Sequence, residues 1–292
     1  MSLDAPLSNP SEADLGNAVQ ENLYELFRAM ARGLSGTDLV EGAGLSYHHS
    51  FPSNPMFKGV WRTHLSSDQV DSAIDETIAW FAARNAPFFF WWTGANTTPA
   101  DLGERLQARG LLDMAEQQSA LAPGIKQTEL GAPCMAADLQ HMDETALTAV
   151  PAGFRIEEVA TEAALIDFKR VFVESYEIPD WAGQAWVDAT QAIGIGKTSW
   201  RMFVGYLDDS PVATNMLYNG AGVASLYAVG VVPAARGMGI GGAITLKPLL
   251  EARDLGYRHA VLFSTEMAQS VYERIGFRLT GTRINRYLWR NE

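Results

Sequence analysis

Residues 11–32, SEADLGNAVQENLYELFRAMAR, place Leu15, Val19, Leu23, Leu26, Phe27 and Met30 at the spacing of one helix face, and Gly33 stands where that helix would end. Two β-like stretches follow near 39–47 and 56–65, then a second helical spacing over about 67–84 through Val70, Ile74, Ile78 and Phe81. The run PFFFWW (87–92) is too short for a helix, which predicts a strand. Thr98 reads as a helix cap and Pro99 as the first helical residue ahead of LGERLQARG, and a further strand is predicted near 115–122. Periodicity then fades among Pro123, Gly124, Gly131, Pro133, Pro151 and Gly153. A domain boundary is expected at TAVPAG (148–153), which divides the chain into 1–150 and 151–292.

The second half restarts with FRIEEV (154–159), helices near 161–175 and 180–193, and strands at 201–207, 212–219 and 223–232. A glycine-rich turn leads into a helix reaching about Leu255, in which Pro248 removes a hydrogen bond and predicts a kink. HAVLFS (259–264) reads as a strand, MAQSVYERIG as a helix, and FRLTGTRINRYLW as two extended segments. The halves echo one another: PFFFWWTG with DLGERLQARGL, and AVLFSTEMAQSVYERIGF, each run from strand through turn to helix, with Leu106, Gly110 and Leu111 matching Tyr272, Gly276 and Phe277. This is read as a divergent internal repeat.

A length of 292 residues suits two such domains, and 47% hydrophobic with 19% charged residues excludes a disordered chain. Cys134 is the only cysteine, so neither an intramolecular disulfide nor a cysteine-based metal cluster is available, and a cytoplasmic location is expected. No apolar run reaches the roughly 20 residues of a membrane span, and MSLDAPLSNP has no signal-peptide pattern. The net charge of −12 argues against nucleic-acid and anionic-membrane partners. On that ground Trp61, Trp80, Trp91 and Trp92 are expected in the core rather than on a base-stacking surface. His48 and His49 would point to opposite faces of a strand, and no H-E-x-x-H occurs, so no metal site is expected.

Residues 231–246, VVPAARGMGIGGAITL, carry four glycines between 237 and 242. The literal G-x-G-x-x-G within them lacks the dinucleotide-binding context, because Pro233, Ala234, Ala235 and Arg236 separate it from the strand. Gly196-Lys197-Thr198 likewise resembles the end of a P-loop, but Gln191 stands where that motif needs its first glycine, and a helix-exit loop is expected. Successive amides from Arg236 to Gly242, followed at once by a helix N-terminus, would instead form an anion-binding hollow.

The whole string, a strand followed by V-x-P-x-x-R-G-x-G-I-G and a helix, resembles the acetyl-coenzyme A motif of the GCN5-related N-acetyltransferases (GNAT). Ala268-x-x-x-Tyr272-Glu-Arg-x-Gly276-Phe277 resembles the second motif of that family. The resemblance implies an α/β (α+β) architecture of two tandem GNAT-like domains, each a mixed, mostly antiparallel twisted sheet flanked by helices. It implies that Arg236, Gly237, Met238, Gly239, Ile240, Gly241 and Gly242 hold the pyrophosphate. Val229, Gly230 and Val231 would pair with the pantetheine amides as an added strand. Thr265 stands where the family often has Asn and could still meet pantetheine.

Tyr272 would give a proton to the departing thiolate. No family position identifies the base that takes the amine proton; Glu174, Glu177 and Asp208 are candidates beside a water chain. The first half has no glycine cradle and has Leu106 where the second has Tyr272, so it is expected to be a degenerate copy, as in tandem acetyltransferases such as mycothiol synthase. The expected activity is acetyl transfer from acetyl-CoA, without a metal, to a primary amine of a small molecule or peptide. A non-catalytic acyl-CoA binding or sensing protein on the same fold is the alternative. A two-domain aminoacyl-tRNA-dependent peptidyl transferase fits less well, for want of a basic face. Neither the acceptor, the acyl-chain preference nor the oligomeric state is written in the sequence.

Overall fold

The computed structural model describes residues 5–50, 58–115, 131–196 and 199–291, with Glu266 and Met267 described by their backbone only. In chain order the elements are α1 (Glu12–Gly33), β1 (Asp38–Glu41), β2 (Leu45–His49), β3 (Lys58–Thr63), α2 (Val70–Ala82), β4 (Phe88–Thr93), α3 (Leu102–Gln107), β5 (Leu112–Asp113) and β6 (Ala132–Asp138). They continue with β7 (Phe154–Glu158), α4 (Glu162–Tyr176), α5 (Asp180–Ile193), β8 (Trp200–Leu207), β9 (Ser210–Gly220), β10 (Val223–Val231), α6 (Ile240–Asp254), β11 (His259–Phe263), α7 (Glu266–Ile275) and β12 (Arg278–Arg290).

These elements form two compact units, neither continuous in sequence. One comprises residues 1–26 and 134–280, the other 27–133 and 281–292. The first unit orders its strands β6-β11-β10-β9-β8-β7. All neighbours in it are antiparallel except β10 and β11, which are parallel. The second unit orders β1-β2-β3-β4 followed by the 285–290 part of β12, antiparallel except for β3 with β4. Each is therefore a mixed, mostly antiparallel sheet with helices, the architecture that the motifs imply.

The sequence pattern finds most elements, and the departures are physical. Strand β6 (APCMAAD) lies in the stretch that shows no periodicity, and it is nearly all buried, so it has no apolar–polar alternation to read. Gly42 and Gly44 break the 39–47 stretch into the β1–β2 hairpin. Thr98 is not a cap: its N–H donates to Thr63 O at 3.1 Å and its carbonyl accepts from Leu65 N at 3.2 Å, so α3 starts later, at Leu102. The C-terminal extended residues form one strand, not two. The strand expected near 115–122 and the Lys197-Thr198 part of the P-loop look-alike lie outside the described residues.

The two halves of the repeat end their helices alike. In one, Leu111 N donates to Leu106 O (3.1 Å) and Gly110 N to Gln107 O (2.9 Å); in the other, Phe277 N donates to Tyr272 O (3.0 Å) and Gly276 N to Glu273 O (3.1 Å). Gly110 (φ +83°) and Gly276 (φ +114°) take the left-handed turn that closes each helix.

Each unit has a core of its own among the described residues. In the first unit one gathers Phe203, Leu217, Leu226, Ile244, Leu249, Leu262, Tyr272 and Phe277. In the second, Phe81, Phe89 and Trp91 pack with Leu102 and Leu106. Trp61, Trp91 and Trp92 are buried as expected, and Trp80 is partly so.

Pro248 does not end α6, because its missing N–H is compensated from outside the helix. The carbonyl left without that donor belongs to Ile244, and the fully buried Asn215 of β9 donates its Nδ2 to it at 2.8 Å. Asn215→Ala is therefore expected to lower stability by about 1–3 kcal/mol in urea unfolding. The loss should shrink in a Pro248→Ala background, where the helix supplies its own donor.

Candidate functional site

Strand β10 begins as a partner of β11 and then leaves it. The parallel register runs only through Ala224–Ala260 and Ser225–Val261. Past that point β10 stays on β9, with one extra residue inserted between Tyr227 and Gly230. Ala228 takes φ +50° in this bulge, and the buried Thr214 of β9 donates its hydroxyl to Ala228 O at 2.9 Å. Beyond the bulge, Val232 N donates to Val212 O on the β9 side (3.0 Å), so the polar groups of Val229 and Val231 face the opposite, unpaired edge.

That edge runs into the glycine turn. Pro233–Ala235 make one tight helical turn, and α6 starts at Ile240 behind Gly239. No side chain caps α6; Gly242 N and Ala243 N donate to Gly239 O (3.1 and 3.3 Å), which leaves the amides of Ile240 and Gly241 for a partner outside the helix. Arg236, Gly237, Met238 and Gly239 are exposed.

The glycines differ in why they are glycines. Gly239 has φ +79°, and a Cβ there would fall 1.9 Å from Ala149 O, so the protein itself requires it. Gly237 (φ +78°) has open space beside it. Gly241 lies inside α6 in ordinary conformation, and a Cβ would find its nearest atoms at 3.8 and 3.9 Å. Packing leaves room for alanine at 241, and helix propensity favours it. A bare backbone at the mouth of a helix N-terminus is what an approaching phosphate needs. At Gly242 the fit is tighter, with Ala146 Cβ 3.3 Å from a built Cβ.

Tyr272 stands on α7 at 7% exposure, packed in the core beside Phe277 with ring centroids 5.9 Å apart. Burial pushes its phenol pKa up, and the neighbouring Tyr176 phenol adds to the effect. Thr265 precedes α7, exposed, and its hydroxyl does not cap the helix. Arg236 turns inward: its Nε donates to Val231 O at 3.1 Å and its Nη2 to Ser175 O at 3.0 Å. The side chain is thus tied to protein carbonyls.

Sequence reasoning missed the end of α4. Tyr176 donates its hydroxyl to Val229 O at 2.9 Å, and Gly230 allows Ser175 to come close, since a Cβ there would lie 2.2 Å from Ser175 Oγ. Nothing in the local pattern marks Tyr176; it is simply the last residue of a helix. Of the base candidates, Glu174 and Glu177 are exposed at this same helix end, whereas Asp208 forms the β8–β9 turn with Asp209, both at positive φ.

In the second unit the equivalent strand edge is filled. Strands β3 and β4 pair through Gly59–Phe90 and Val60–Trp91, and beyond them the backbone of Thr98 bonds to Thr63 and Leu65. Leu106 is fully buried in that core. His48 accepts the Trp61 indole N–H at 3.0 Å, and burial pushes its pKa down to about 3, which keeps it neutral and structural. Among the described residues, no group of three or more His, Cys, Asp or Glu could hold a metal, and no helix is long and apolar enough to cross a membrane.

Residues 166–277 match the model of the acetyltransferase (GNAT) family, and this part of the chain is a GNAT domain. Among solved structures, a GCN5-related N-acetyltransferase from Kribbella flavida is similar at a TM-score of 0.70 and 15% identity, covering 94% of this chain and 96% of that one. One from Sphaerobacter thermophilus is similar at 0.56 and 16%, covering 96% and 94%. A tandem GNAT protein from the clavulanic acid biosynthesis pathway is similar at 0.55 and 14%, covering 98% and 97%. These likenesses extend the GNAT fold, tandem type included, along the whole chain. No curated protein sequence matches it.

The two glycines separate structure from binding. Gly239→Ala is expected to cost about 2 kcal/mol, from its left-handed backbone and the clash with Ala149. Gly241→Ala should leave the melting temperature unchanged or raise it, as thermal unfolding of the two variants would read.

Proposed function

We propose that the chain is an acetyl-CoA-dependent N-acetyltransferase acting on a primary amine of a small molecule or peptide. Its one active site lies in the unit that contains the glycine turn. The observation that carries this reading is the unpaired β10 edge at Val229–Val231, which leads directly into the uncapped helix start at 236–242. Val229 and Val231, on either side of Gly230, present their main-chain groups to pantetheine, and the amides between Arg236 and Gly242 that the turn leaves unbonded, Gly237 to Gly241, are the donors for the pyrophosphate. Thr265, exposed ahead of α7, would offer a hydroxyl to the pantetheine arm.

The donor set fits acetyl-CoA: neutral amides and a helix dipole for the phosphates, and the outward edge of β10 for the amide arm. When bound, acetyl-CoA supplies an activated acyl group as a thioester. The unit holds the neutral amine and the thioester together, so that a C–N bond forms, the C–S bond breaks, and the amine gives its surplus proton to water. Tyr272 would give its proton to the departing sulfur and regain one from water. Burial favours the neutral phenol, so Tyr272 holds that proton throughout the neutral and mildly alkaline range.

The other unit is the degenerate copy. Thr98 fills its strand edge, and Leu106 replaces the phenol. By this reading 151–292 carries the catalytic motifs and 1–150 the inactive repeat, and the protein works in the cytoplasm.

The test is thiol release from acetyl-CoA over an amine panel, beside a thermal shift with coenzyme A. Turnover with at least one amine is expected. A shift without turnover would favour an acyl-CoA sensor, and the absence of both shift and turnover would overturn the reading. Tyr272→Phe should lower kcat about 10–100-fold without changing coenzyme A affinity. With the wild type, log kcat should show no alkaline fall from Tyr272 up to about pH 10. Gly241→Ala, stable as a protein, should weaken coenzyme A binding in calorimetry.

A further inference from the structure

The two outward carbonyls of the β10 edge are already in use. Val229 O accepts from Tyr176 Oη (2.9 Å) and Val231 O from Arg236 Nε (3.1 Å), while Arg236 Nη2 binds Ser175 O (3.0 Å). One helix end therefore closes over the edge that the proposed cofactor site needs open. Gly230 admits this approach, since any side chain there would strike Ser175 and the Tyr176 ring.

Resting on the acetyl-CoA reading, we propose that the Tyr176 hydroxyl stands in for an amide N–H of the pantetheine arm and is displaced when that arm binds. The chemistry of the exchange is balanced. A phenol O–H and an amide N–H are both single neutral donors, and Val229 O receives one in place of the other. The released phenol gains water or a ligand atom as its partner.

The latch is built to yield. Tyr176 is the last residue of α4, is 45% exposed, and rests on the Phe172 ring at 4.8 Å between centroids. Glu177 beyond it already has the left-handed backbone that ends the helix (φ +53°), so a swing of the ring leaves α4 intact. Because Tyr176 competes for the same acceptor, the apparent affinity for the cofactor equals the intrinsic affinity reduced by the fraction of molecules in which the latch is open.

The experiment is calorimetric titration of wild type and Tyr176→Phe with coenzyme A, and in parallel with its nucleotide fragment, which lacks the pantetheine arm. Tyr176→Phe should bind coenzyme A about three- to tenfold more tightly and the nucleotide fragment no differently. Tyr176→Leu should behave in the same way, and the melting temperatures without ligand establish that each variant is folded. Unchanged or weaker coenzyme A binding by the folded variants would overturn the proposal, and so would an equal gain with the nucleotide fragment. Failure of the wild type itself to bind coenzyme A is a different result: it would remove the cofactor reading, and this inference with it.

Discussion

The site depends on β10 ceasing to pair with β11 after two residue pairs. A strand that leaves its neighbour frees its main-chain groups on that side for other partners, and here Tyr176 and Arg236 take the carbonyls of Val229 and Val231. The one-residue bulge at 227–230 makes this separation local and repeatable, because Ala228 is turned and its carbonyl is claimed by Thr214 on the β9 side. Everything downstream inherits its position from that event. The edge ends at Pro233, the chain turns through residues 236–239, and α6 begins with its amides uncapped.

The other unit shows how little is needed to close such a site. Its β3 and β4 also pair in parallel over two residue pairs. There the chain after β4 folds back, and the main chain of Thr98 takes the place that a ligand would take in an open edge. Two backbone hydrogen bonds at the strand edge, a leucine in place of a phenol and the lack of a glycine turn distinguish this unit from the one with the open edge. The helix ends of the repeat, by contrast, remain superposable in their bonding, since that turn serves folding in both units.

The units are also not the two halves of the chain. Strand β6 comes from residues 132–138, before the expected boundary, and pairs with β11. Residues 285–290, at the far end of the chain, pair with β4. Helix α1 is divided at Leu26, and its first part serves the GNAT unit: Asn22 donates to Gly220 O at 2.9 Å and accepts the Tyr227 hydroxyl at 2.8 Å. A linear domain boundary drawn from composition cannot see such exchanges, because strand pairing across long separations leaves no local trace.

Local patterns determined the helices, most strands, the internal echo and the glycine turn with Tyr272 behind it. Those features arise from spacing, turn chemistry and backbone freedom within a few residues of chain. The tertiary structure alone decided the rest. It buried β6 without alternation, it took Thr98 from a helix cap into a strand edge, and it tied Arg236 to two carbonyls. It also carried Tyr176 onto Val229, a residue 53 positions away. Each of these outcomes is a competition for hydrogen bonds between parts of the chain that meet only after folding, and a sequence records the competitors without recording which of them come together.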